Sequence, residues 1–261
     1  MATPDTVVVS AATYQLVRGL FTCHALGAHT LKGVDQPLAV YRVLSTGEAQ
    51  NRFEVAVSTG LTPLVGRQEE VGLLQRRWEQ VKEGYGQVVL LSGEAGIGKS
   101  RLVQELREWV THEGATRIAF RCSPYHQNSA LYPVLEHLQQ VLQFHRNEAP
   151  ETKLAKLERV LRTYRFAQQE VIALFAALLS LPHPEGYPPL RLSPERQKQQ
   201  TQEALLAWLF EEAERQPVLV VWEDLHWADP SSLEVLGLLV DQPPTARLLT
   251  LLTFRPEFHS P

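Results

Sequence analysis

The chain has 261 residues, 44% of them apolar and 21% charged, an ordinary globular mix that makes neither disorder nor a fibrous repeat the default. Lysine and arginine number 25 against 29 aspartates and glutamates, and this net charge of −4 argues against a basic nucleic-acid surface spread over the molecule. Two cysteines, Cys23 and Cys122, exclude a disulfide framework and suit a reducing, cytoplasmic setting.

Val7 to Ser10 predicts a strand, and Ala11 to Gly19 a short helix capped by Ser10 and stopped by Gly19. Two extended stretches follow, around Phe21–Leu31 and Leu38–Leu44, with a turn at Lys32-Gly33-Val34-Asp35 between them. So few elements bury too little to close a core, so residues 1–45 read as the tail of a domain. Residues 46–62 lack strong periodicity and read as a linker.

From Thr62 the pattern changes to strands alternating with long helices. Gln87–Ser92, Arg117–Arg121, Val218–Trp222 and Leu248–Thr253 predict strands. Leu102, Val103, Leu106, Trp109 and Val110 recur at helical spacing after the first of them. A mostly helical block follows, with Leu135, Leu138, Val141 and Leu142 on one face and then Val171–Leu179. That last run is far short of the roughly 20 apolar residues of a membrane helix, and no secretory signal opens the chain. The Pro-rich Leu181–Pro194 predicts a loop, Ser193-Pro194 a helix start, and Asp229-Pro230 another. Buried strands alternating with helices imply an α/β domain with a parallel sheet covered on both faces.

The segment Gly93-Glu94-Ala95-Gly96-Ile97-Gly98-Lys99-Ser100 fits G-x-x-x-x-G-K-[ST] between a strand and a helix. Its glycines permit backbone angles that side chains block, so the loop N–H groups converge on phosphate oxygens at the positive end of a helix. Lys99 would reach the β- and γ-phosphates, and the Ser100 hydroxyl would bind Mg²⁺. A second apolar strand delivers Glu223 and Asp224 at its C-terminal end. Adjacent strand residues point oppositely, so Glu223 is assigned to the metal's water shell and Asp224 to orienting or deprotonating the attacking water. The alternative is a solvated strand end. Arg255, at the end of the last strand, is the candidate sensor of the γ-phosphate, against a plain ion pair with Glu257.

Other features carry less. Cys23, His24 and His29 lack metal-ligand spacing. His226 and Trp227 read as structural, with contact to the phosphates as the alternative for His226. Arg76, Arg77 and Trp78 read as a solvated helix face with one apolar anchor.

Taken together, TPLVGRQEEVGLLQRRWEQ, GEAGIGKSRL, CSPYHQNSALYPVLEHL, EDLHWADPSSLEVL and TFRPEF resemble the AAA-type ATPase module of multidomain bacterial signalling proteins, related to origin-recognition-complex-like and STAND ATPases. The resemblance implies a three-layer α/β/α P-loop NTPase over 63–261 that binds ATP and Mg²⁺. It places Gly93 to Arg101 on the phosphates and Val65-Gly66-Arg67 near the adenine. It also implies that the module stops before a fifth strand and a helical lid. The strand entering the phosphate loop would then be an unprotected edge, and the chain marginally stable.

Residues 1–45 resemble the last strands of a class III nucleotide cyclase domain, a small α+β remnant. That family's metal-binding aspartates and transition-state Asn/Arg pair would lie before Met1, and Lys32 alone matches a phosphate-reaching position. The resemblance implies a larger protein with a cyclase domain and helical repeats as partners, an oligomer among the options, and neither nucleic acid nor membrane. Three function classes follow: a nucleotide switch with slow ATP hydrolysis, a cyclase whose catalytic residues lie elsewhere, and a non-hydrolysing scaffold.

Overall fold

Short β-branched runs and helix caps build the N-terminal unit, Met1–Val65. The structure, a computed structural model, describes residues 3–31, 36–47, 52–145, 147–166, 168–183, 185–187, 189–242 and 245–259. The elements here are β1 (Val7–Ser10), α1 (Ala11–Val17), β2 (Phe21–His29), β3 (Leu38–Thr46) and α2 (Arg52–Thr59). The strands form an antiparallel sheet in the order β1-β3-β2. Ser10 caps α1 by accepting the Thr13 N–H at 3.2 Å, and Tyr14 stacks on Tyr41 at 4.0 Å. Among the described residues of this unit only Val40 is fully buried, in line with so short a segment closing little core. The turn at 32–35, with Lys32, lies outside the described residues.

One expectation changes. The stretch read as a linker contains α2, whose Val55 lies against Gly19; a Cβ at Gly19 would come within 2.6 Å of Val55 Cγ1. Alternating Phe53, Val55 and Val57 hid the helical period, and the packing partner of Val55 sits far back in the sequence.

The second unit, Gly66–Pro261, runs α3 (Gln68–Lys82), β4 (Gln87–Ser92), α4 (Lys99–His112), β5 (Thr116–Arg121), α5 (Tyr132–Val141), α6 (Pro150–Leu161), α7 (Gln169–Leu178), α8 (Pro194–Arg215), β6 (Val218–Glu223), a 3₁₀ turn (Leu225–Trp227), α9 (Pro230–Val240) and β7 (Leu248–Phe254). Four strands form a parallel sheet in the order β4-β7-β6-β5. One face (Ile118, Phe120, Val218, Val220, Trp222, Leu248, Leu252) packs on Leu138 of α5, Leu205 and Leu209 of α8, and Val235, Leu236 and Leu239 of α9. The other buries Leu219, Val221, Leu249 and Leu251 on the side where α3 and α4 lie. Helices on both faces explain why β6 and β7 are mostly apolar, their polar residues being Glu223, Thr250 and Thr253.

The helix starts follow their caps. Ser193 accepts the Arg196 N–H ahead of α8, and Asp229 accepts the Ser232 N–H ahead of α9, each with proline in the first turn. In α5 the buried residues are Pro133, Val134 and Leu138, with Leu142 beyond, while Val141 is 43% exposed, a shift from the face expected. Trp78 is fully buried and donates its indole N–H to Glu113 at 2.6 Å, which ties the C-terminal ends of α3 and α4 together. β4 lies at the sheet edge, with Val88 46% and Leu90 63% exposed. Among the described residues no helix is long and apolar enough to cross a membrane.

His137 of α5 sits between Phe120 and Trp208, with ring centroids 5.4 and 5.8 Å away, and its buried Nε2 has no partner. Burial pushes its pKa down to about 4. A histidine depressed in the folded state binds more protons when unfolded, so it costs nothing above pH ~6.5 and destabilises progressively toward pH 4. Urea midpoints are expected to drop between those pH values by the equivalent of about 3 kcal/mol more in the native chain than in His137→Leu. Equal pH dependence in the two would sink the assignment.

Candidate functional site

The parallel register brings the C-terminal strand ends into one row: Ser92 pairs with Phe254, Trp222 with Leu252, and Arg121 with Glu223. Chain leaving β4, β6 and β7 therefore emerges at a single sheet edge, where ligands of open α/β sheets bind.

From β4 comes Gly93–Gly98, and α4 begins directly at Lys99. Gly96 and Gly98 adopt φ of +80° and +103°, angles open to glycine. The Gly98 carbonyl accepts from the N–H groups of Arg101 and Leu102 at 3.0 and 3.1 Å, starting the helix. The Lys99 amine folds back to donate to the carbonyls of Gly93 (2.5 Å) and Glu94 (2.9 Å). Gly93 N–H donates to the Phe254 carbonyl at 3.3 Å, linking loop to β7. Ile97, at the loop tip, is exposed.

Ser100 stands in the first turn of α4, and Arg101 pairs with Glu105 at 2.6 Å. Arg67 braces the loop from α3's start, donating to the Ile97 carbonyl at 3.1 Å while it holds Glu70 at 2.6 Å. Gly66 is left-handed at φ +73°, and Val65 is 81% exposed at the end of the first unit.

From β6 come the two acids, and they part company. Glu223 is buried, held by Arg107 at 2.6 Å and approached by Arg121 at 3.7 Å. Its carboxylate could serve a metal's water shell only while shared with Arg107. Asp224 turns sharply into φ +58°, donates its N–H to Thr253 Oγ1 at 3.0 Å, and stays partly open. Arg255, just past β7, is a third exposed; its guanidinium lies 5.9 Å over the Trp227 ring and 3.9 Å from the Glu257 carboxylate. That distance makes a weak ion pair.

Sequence reasoning passed over Arg107 and Thr253. Arg107 follows Ser100 by seven residues, which puts both on one face of α4, and that spacing was its available signal. Cys122 sits nearby, buried, its thiol pushed up to about 12 by desolvation and then by the charges of Asp229, Asp224 and Glu223, so it is chemically quiet.

A hydroxyl and carboxylates form a hard oxygen set of the kind Mg²⁺ prefers. Among the described residues no cluster of three or more His, Cys, Asp or Glu side chains could hold a metal alone.

An uncharacterized protein of Rhizobium meliloti (strain 1021) is 30% identical over 261 residues, covering 98% of this chain and 25% of the relative. The chain thus spans about a quarter of the length of that relative. Residues 63–252, which take in the phosphate loop, the acidic strand end and most of β7, match the AAA ATPase domain, and with that match over most of its length the chain belongs to the AAA ATPase family.

Proposed function

We propose that the chain is an ATP-binding switch with slow Mg²⁺-dependent hydrolysis. The observation that carries this reading is the shared edge: the Gly93–Gly98 loop, Glu223-Asp224 and Arg255 leave strands that are in register. The loop N–H groups and Lys99 hold the phosphates, and the α4 N-terminus adds its positive end. Ser100 would bind Mg²⁺ and Glu223 its water shell, the ion neutralising phosphate charge; Asp224 orients the attacking water and Arg255 reads the γ-phosphate. Gly66 and Arg67 lie toward the adenine, with Arg67 also bracing the loop through Ile97. ATP over GTP rests on the family alone.

Residues 1–45 are read as the end of a class III cyclase domain within a larger signalling protein, supported by the antiparallel β1-β3-β2 sheet and by a relative of which this chain matches 25%. The nucleotide state would then bias the packing of cyclase and helical-repeat partners or self-association. Cys23 and Cys122, both free, support a cytoplasmic setting. A second reading, binding without turnover, draws on the Arg107–Glu223 pair, which competes with the metal for that carboxylate.

Calorimetric titration with ATP, in MgCl₂ and in EDTA, tests the proposal. Binding is expected in both, tighter by about tenfold with Mg²⁺, with slow phosphate release. Binding with no release selects the second reading. No heat and no thermal stabilisation in either buffer would refute both.

A further inference from the structure

Side chains of β6 alternate between its two faces. Leu219 and Val221 are buried on the side where α3 and α4 lie, and Glu223, two residues on, points the same way. Its carboxylate therefore ends against α4, with its side chain 8% exposed. Arg107 of α4 donates to Oε1 at 2.6 Å, and Arg121, directly across the β5–β6 register, approaches the same oxygen at 3.7 Å. Arg107 follows Ser100 by seven residues, two helical turns or about 10 Å, on the same face of the helix. One rigid element thus carries both the hydroxyl assigned to Mg²⁺ and a cation already bonded to the acid assigned to the metal's water shell.

A buried carboxylate without a counter-ion is strongly disfavoured, and Arg107 supplies that counter-ion from within the chain. A divalent cation at the phosphates then draws on a carboxylate whose charge is already shared, and it also meets the positive charge of the guanidinium. Metal-free nucleotide, in contrast, gains from a cation kept nearby. We propose that Arg107 is a positioning residue that holds Glu223 in competition with the metal and so sets how far Mg²⁺ strengthens nucleotide binding. This inference rests on the reading of Glu223 as the acid of the metal's water shell. Arg107 acts through Glu223, its bonded partner, and its removal makes nucleotide binding depend more steeply on Mg²⁺.

Calorimetry with ATP on the 261-residue chain, in MgCl₂ and in EDTA, tests the idea. The quantity read is the Mg²⁺ gain, the Kd in EDTA divided by the Kd in MgCl₂. Arg107→Met is expected to raise this gain about fivefold over the native chain. Arg107→Gln, which removes the charge but keeps an N–H for Glu223, should raise it about threefold and serves as the readout if the methionine variant does not fold. Arg107→Lys, which keeps the charge, should stay within about twofold of native. Glu223→Gln should lower the gain, and adding Arg107→Met to it should then change the gain less than about twofold. An unchanged or smaller gain in the methionine and glutamine variants, or equal weakening in both buffers with a lowered Tm, overturns the proposal and leaves Arg107 a structural tie between α4 and β6. A rise of the same size in the Glu223→Gln background overturns it too, because the guanidinium would then act on the ligand directly. If the native chain binds ATP in neither buffer, the nucleotide-site reading itself fails and takes this one with it. ATP binding whose Mg²⁺ gain ignores both Arg107 and Glu223 defeats this inference alone.

Discussion

Lys99→Ala is expected to raise the Kd for MgATP by at least about a hundredfold while leaving the nucleotide-free chain folded. The amine now bonds only the carbonyls of Gly93 and Glu94, in a partly to fully exposed setting. Losing those bonds costs about 1 kcal/mol of stability, because water replaces them. With polyphosphate bound the arithmetic differs. A unit charge pair at about 4 Å near a protein surface is worth roughly 4 kcal/mol, and phosphates supply more than one negative charge. Loop N–H groups and the α4 terminus still attract the ligand, so residual weak binding should persist. Calorimetry gives the Kd, and a urea curve gives the stability. A variant that bound MgATP within about threefold of the native chain would show that the loop does not hold the phosphates.

The elements that local chemistry dictates were legible in the sequence. β6 is apolar from Val218 to Trp222 because both its faces are covered, and Gly96 and Gly98 of the phosphate loop stand where φ is positive. Ser193 and Asp229 announced their helices because a cap acts within three residues. What stayed hidden depends on partners far apart in the chain. Arg107 reaches Glu223 across 116 residues, and Thr253 reaches Asp224 across 29. The spacing of Arg107 from Ser100 marks its helix face, but neither partner, Glu223 nor Asp224, can be read from the residues around it. α2 was missed for a related reason, since Val55 is explained by Gly19 and not by its neighbours. Asp229 was only half read: its cap was visible, its second bond was not.

That second bond makes Asp229→Ala the largest expected loss of stability, about 3–4 kcal/mol. Asp229 is 2% exposed. One oxygen accepts from the N–H groups of Ser232 and of Leu131, each at 3.0 Å, and the other accepts the Ser232 hydroxyl at 2.6 Å. Leu131 lies 98 residues away, at the start of α5, in a left-handed φ of +56° that a leucine adopts only when held there. A single carboxylate thus caps α9 and pins the loop between β5 and α5. Alanine would strand two buried N–H donors and a hydroxyl and release the strained leucine. For a unit of this size the Tm should fall by roughly 10 °C. Asp229→Asn keeps an oxygen for both N–H groups, while its amide lets Ser232 Oγ turn from donor to acceptor, so it should cost only about 1 kcal/mol. Hydrogen exchange at the Leu131 amide should accelerate in the alanine variant beyond the global change, because that donor loses its acceptor outright. Equal destabilisation by alanine and asparagine, with Leu131 protection tracking global stability in both, would mean that packing and not this hydrogen-bonded clamp holds the loop.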